Sequence, residues 1–159
     1  MSGRQPGDFM ARAIELSEEN VRSGRGGPFA AVVVRNGRVV AEGTNLVTSS
    51  CDPTAHAEIV AIRRACQVLG QFHLAGCEIY ASCEPCPMCF SAIYWARLDR
   101  LVFAATAEDA AGAGFDDSRI LEQLRLAPER RRIPAQQLMR EQALGALRAW
   151  VEKADKIPY

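Results

Sequence analysis

Small and apolar residues recur along the chain in two rhythms. From Asp8 to about Arg22 they fall three and four apart, at Phe9, Met10, Ala13, Ile14, Ser17 and Val21, with Glu15, Glu18 and Glu19 between them, which is the period of an amphipathic helix. The stretch "FAAVVVRNGRVVAEG" changes to two β-branched runs joined at Asn36-Gly37, the dipeptide favoured in a type I′ turn, and predicts a β-hairpin. A polar connection, "TNLVTSSCDPT", leads to a second helix expected over residues 54–69, with Asp52 as N-cap, Pro53 at the first helical position and Gly70 as the stop. "CEIYAS" reads as a short strand, and residues 87 to about 96 as a third helix. "RLVFAAT" is nearly all apolar, so a strand covered on both faces is expected there. "AEDAAGAGFDDS" reads as a loop, "SRILEQLRL" as a short helix, "IPAQQLM" as a further strand and "REQALGALRAWVEKADK" as a last amphipathic helix.

Strands alternating with helices imply one sheet with helices on both sides, opened by a hairpin. In such sheets, sites gather at strand ends and helix amino termini. The length, 159 residues, suits one domain that buries roughly 70% of its unfolded surface without covalent staples. Lys plus Arg and Asp plus Glu both total 19; with no basic excess, a nucleic-acid partner is not expected. The amino-terminal stretch has no apolar core of signal-peptide length, and no run of eighteen apolar residues occurs, so a cytoplasmic protein without a membrane span is expected. The six cysteines, 51, 66, 77, 83, 86 and 89, are then not expected to form disulfides.

Three of those cysteines crowd into "CEPCPMC". Cys86 and Cys89 stand three apart, so the first turn of a helix can aim both sulfurs at one ion, and a helix amino terminus favours thiolate. Zn²⁺ accepts sulfur and imidazole in a tetrahedron. The chain has two histidines, and one of them, His56, opens "HAE", two residues before Glu58. The combination His56-Ala57-Glu58 with Pro85-Cys86-Pro87-Met88-Cys89 is the H-x-E…P-C-x-x-C signature of zinc deaminases acting on nucleobases. Three protein ligands, His56, Cys86 and Cys89, leave a fourth position open, as catalytic zinc sites do and structural sites do not. Glu58 is the carboxylate placed to move protons. Residues i and i+2 of a helix do not lie side by side, so this pair must sit at an opening turn. Cys83 is read as packed nearby, Cys51, Cys66 and Cys77 as small buried or half-buried residues, and His73 as a loop residue.

The runs "GGPFAAVVV", "DPTAHAEIVAIR", "SCEPCPMCFSAIYWAR" and "AGFDDSRI", with the terminal "RAW" and Tyr159, resemble the cytidine deaminase superfamily and, within it, the small bacterial guanine deaminases. The resemblance implies an α/β/α sandwich around a five-stranded mixed sheet, a homodimer, one zinc per subunit, and hydrolysis of guanine to xanthine and ammonia. It implies that Asn45 and Phe29 contact the purine and that Asp117 assists proton transfer at the 2-amino group. It further implies that a carboxy-terminal segment, about 141–159, is exchanged between subunits and brings Tyr159 to the substrate. From the residues alone, Phe29 reads equally as a core aromatic, Asn45 as a turn residue and Asp117 as a helix cap.

Two rivals stand beside this reading. A tRNA adenosine deaminase, or a deaminase of another small aminated ring, would share the chemistry. A non-catalytic zinc module would need a fourth protein ligand, for which Cys83 is the candidate.

Overall fold

The computed structural model describes residues 5–159. The hairpin forms as the turn chemistry demands: β1 (Ala30–Arg35) and β2 (Arg38–Thr44) pair antiparallel, and Asn36 and Gly37 both take positive φ, 51° and 70°, as a type I′ turn requires. β3 (Cys77–Cys83) lies antiparallel to β1, and β4 (Arg100–Ala105) parallel to β3. The sheet order is β2-β1-β3-β4. Among the described residues it is a mixed sheet of four strands, not five. Residues 133–139, the expected further strand, form none: Pro134 removes a ladder donor, and no neighbouring strand pairs with them.

Strand alternation sorts the core into two layers. Ala30, Val32, Val34 and Tyr80 point to one face and pack with Phe9, Ala13 and Leu16 of α1 (Pro6–Arg22). Ala31, Val33, Cys77 and Ile79 point to the other, where Ala57, Ala61 and Ala65 of α3 (Ala57–Leu69) and Ile93 of α4 (Pro87–Trp95) meet them. A one-turn helix, α2 (Val47–Ser50), lies in the connection after β2. The i, i+4, i+8 alanine stripe brings α3 directly onto β2. At Gly43 a Cβ would stand 2.3 Å from the Ala57 carbonyl oxygen and 2.5 Å from the Ala61 nitrogen, so only glycine permits the contact that seats the start of α3.

The buried stripe of α1 is Phe9, Ala13, Leu16, Ser17 and Asn20. It is rotated from the one the periodicity predicts, since Ile14 and Val21 are exposed. "AEDAAG" is a short helix, α5 (Ala107–Gly112), and not a loop: Thr106 and Asp109 form a reciprocal capping box. β4 is one of the two edge strands, and it is not covered on both faces. Phe103 on it is exposed, as are Phe90, Tyr94 and Trp95 of α4.

Two compact units result, one ending at Asp117 and one spanning Ser118–Tyr159. The second holds α6 (Ser118–Arg125), a short 3-10 turn (Pro128–Arg130) and α7 (Arg140–Glu152). No residue of it is buried. Among the described residues, no helix is long and apolar enough to cross a membrane.

Candidate active site

Two helix amino termini supply the metal-ligand candidates. His56 is the N-cap of α3, with φ −67° and ψ 155°, and Cys86 is the N-cap of α4, with φ −62° and ψ 167°. The second helix therefore begins three residues later than the expected start. Asp52 is not its cap: its carboxylate accepts from the Thr54 N–H at 2.8 Å and the Thr54 hydroxyl at 2.7 Å, closing an Asx turn ahead of the helix. This placement resolves the spacing difficulty of the His-x-Glu pair. His56 is extended and Glu58 sits in the first helical turn, so both can face one point.

His56 Nδ1 lies 3.5 Å from the sulfur of Cys86 and 3.5 Å from that of Cys89. All three ligand atoms fall within 4.8 Å of one another. A tetrahedral ion with bonds of about 2.3 Å to sulfur and about 2.0 Å to nitrogen sets the S···N separation at about 3.5 Å. The residues fit zinc in donor type and in spacing, and His56, Cys86 and Cys89 could hold one ion. Among the described residues this is the one such group of three. Cys83 lies outside it. Its thiol donates to the Thr106 carbonyl at 3.5 Å, and burial pushes that thiol above its ordinary range.

The electrostatics suit a cation. Hydrogen bonding from Cys89, and then from His56, draws the Cys86 thiol down to about 4 against the cost of its burial. Cys89 is pushed up by its hydrogen bond to the Cys86 sulfur and by burial. His56 is raised, mainly by its hydrogen bond with the Cys86 sulfur. Glu58 is 7% exposed, and burial pushes its carboxyl above the usual range. A buried, raised carboxyl beside a metal-ligand cluster is the form a proton carrier takes.

Around this cluster the other candidates divide. Asn45, at the end of β2, is buried. Its N–H donates to the Phe29 carbonyl at 3.0 Å, and its Oδ1 accepts from Val47 N–H at 3.3 Å. Phe29 is half-buried, and its ring meets Phe115 edge-on, with centroids 4.8 Å apart at 86°. Phe115 was not singled out from the sequence, although "GFDDS" contains it; the signal was an aromatic in an otherwise small and acidic loop. Asp117 is half-buried, and its carboxyl is pushed up by burial first and then by the charge of Cys86. Tyr159, in the second unit, stacks edge-on to Trp150 at 6.4 Å. Cys51, expected to be at least half-buried, is exposed and ends α2 in the left-handed region.

Residues 4–105 match the family of the cytidine and deoxycytidylate deaminase zinc-binding region. A guanine deaminase of Bacillus subtilis is 51% identical over 151 residues, covering 95% of this chain and 97% of the relative. The X-ray structure of guanine deaminase from Bacillus subtilis superposes with a TM-score of 0.95 at 49% identity, over 98% of this chain and 99% of that one. A tRNA-specific adenosine deaminase of Aquifex aeolicus is 39% identical, over 54% of this chain and 56% of its own length. The likeness to deaminases thus runs through the residues that form the metal cluster, and the chain belongs to the cytidine and deoxycytidylate deaminase zinc-binding family.

Proposed function

We propose that this chain hydrolyses guanine to xanthine and ammonia. The observation that carries the substrate is the extent of the likeness: identity with a guanine deaminase continues over 95% of the chain, whereas a tRNA-specific relative matches 54% of it. His56, Cys86 and Cys89 would hold a zinc ion, which would lower the pKa of a water to near neutrality. Glu58 takes one proton from the attacking water and gives it to a ring nitrogen as oxygen adds at C2, then carries the proton of the new C2 hydroxyl to the amine, so that the C–N bond breaks, a carbonyl forms and ammonia departs. Asn45 offers an amide to the purine edge, able to donate and accept at once. Phe29, with Phe115 against it, borders the ring face. Asp117, kept partly out of water, accepts from the 2-amino group and assists its protonation.

The same reading makes the whole chain one deaminase domain that works as a homodimer in the cytoplasm. The exposed aromatic side chains Phe90, Tyr94, Trp95 and Phe103 support burial against a second copy. The unburied apolar residues of 118–159 support exchange of the segment from about 141 onward, which would bring Tyr159 to a partner's substrate. Six free cysteines suit a reducing compartment. Zero formal net charge argues against a nucleic-acid substrate, and the engagement of Cys83 with Thr106 argues against a four-ligand structural site.

Ammonia release from the zinc-loaded protein, offered guanine, adenine, cytosine, their nucleosides and tRNA in parallel, tests the proposal. Release from guanine and not from tRNA is expected. Release from tRNA with none from guanine would transfer the assignment to adenosine editing.

A further inference from the structure

Asn20 is a fully buried amide on the face of α1 that otherwise packs Phe9, Ala13 and Leu16 into the core. Its Nδ2 donates to two carbonyls, those of Gly27 and Asn45, at 2.9 Å each. Carbonyls only accept, so the NH₂ end of the amide must face them. Its Oδ1 is also buried and pairs with no protein group. The residue is therefore at this position for its nitrogen.

Those two carbonyls belong to the segments that carry the residues proposed to hold the base. The Phe29 N–H donates to the Gly27 carbonyl at 2.8 Å, and the Asn45 N–H to the Phe29 carbonyl at 3.0 Å. Asn20 thus ties both ends of a short hydrogen-bonded chain running from Gly27 through Phe29 to Asn45. Gly26 lets the segments close, because a Cβ there would stand 2.1 Å from the Asn45 carbonyl oxygen and 3.2 Å from Asn20 Nδ2. A Cβ on Gly27 would lie 3.5 Å from the Phe29 ring and 3.6 Å from that of Phe115.

We propose that Asn20 is a positioning residue for base recognition, which clamps the Gly26–Phe29 turn to the Asn45 strand end so that the Asn45 amide and the Phe29 ring approach the purine as one unit. This inference rests on the guanine reading and names how its recognition elements are held. The Asn20 side chain bonds to the Gly27 and Asn45 carbonyls and to no metal-ligand candidate, so its loss weakens ground-state and transition-state binding together and leaves the chemical step in place.

The test is a double-mutant cycle with guanine on zinc-loaded protein. Asn20→Ala should raise KM about tenfold, the worth of about one lost positioning hydrogen bond, with kcat and zinc content close to those of the parent. In an Asn45→Ala background the same change should add less than in the parent, what remains being its effect through Phe29. An unchanged KM, a fall confined to kcat, or full additivity with Asn45→Ala would overturn the proposal. Asn20→Ser, which keeps one donor, should fall between parent and alanine variant. Should neither variant fold, amide exchange on the unaltered protein decides: xanthine should slow the Phe29 and Asn45 amides together, and protection of Asn45 without Phe29 would overturn the clamp. A parent protein inactive on guanine would instead sink the underlying assignment.

Discussion

Residues 5–117 and residues 118–159 handle their apolar side chains in opposite ways. The first unit buries a core of them in two layers on either side of the sheet, although Phe90, Tyr94, Trp95 and Phe103 stay exposed. The second buries none, and leaves Ile120, Leu124, Ile133, Leu147, Trp150 and Val151 exposed. The first is held to tight tolerances: glycines at 26 and 43 stand where any Cβ would collide with backbone, and each collision lies at an element that positions a site residue. The second has no such constraint, since a Cβ on Gly145 of α7 would meet nothing within 4 Å. The candidate site lies in the unit where packing is strict.

That contrast can be broken in order of expected effect. Cys86→Ala should abolish both zinc binding and turnover, because two ligands do not replace three; metal analysis finding one zinc per chain in this variant would remove Cys86 from the ligand set. Gly43→Ala should destabilise the fold by about 1–3 kcal/mol through overpacking, lower the thermal midpoint, and loosen zinc as the start of α3 is displaced. A denaturation midpoint equal to the parent's would show that α3 is not seated by that contact.

Thr106→Ala removes one half of the α5 capping box and should cost about 1 kcal/mol at neutral pH. Its pH dependence is fixed in sign. The Thr106 N–H and hydroxyl hold the Asp109 carboxyl below its usual range, so the stabilisation is present above the ordinary carboxylate pKa and is lost as pH falls through the depressed one. Chemical denaturation across that window should show the gap between parent and variant closing toward acid. Gly145→Ala, in the permissive unit, should raise stability by about 0.5–1 kcal/mol, with KM and kcat unchanged; a loss of stability would reveal close packing at that helix face.

How much of this was legible in the sequence depended on whether the deciding interaction was local. Asn36-Gly37 announced its turn, and Gly70 and Pro87 announced helix ends, because each acts through its own backbone. His-x-Glu and Pro-Cys-x-x-Cys marked the metal cluster by residue type and order. The start of α3 was misplaced because Asp52-Pro53-Thr54 makes an equally good local turn, and what sets the helix start, His56 facing two sulfurs thirty and thirty-three residues away, is tertiary. The capping box at Thr106 was a local signal that went unread. Asn20 was hidden for the opposite reason: a polar residue on the buried face of α1 interrupts the apolar period and looks like solvent exposure until its two carbonyl partners are seen. The apolar run of β4 suggested cover on both faces, but it marks an edge that the first unit leaves open.

The central claim is that three ligands and one buried carboxylate make a hydrolytic deaminase. Parallel measurement of zinc content and xanthine formation from guanine in the parent and in Glu58→Gln tests it most directly. The account predicts one zinc per chain in both proteins, with turnover in the variant lower by about 10²–10⁴-fold, the usual contribution of a positioned acid–base group. A zinc-loaded Glu58→Gln protein that forms xanthine at the parental rate would contradict it.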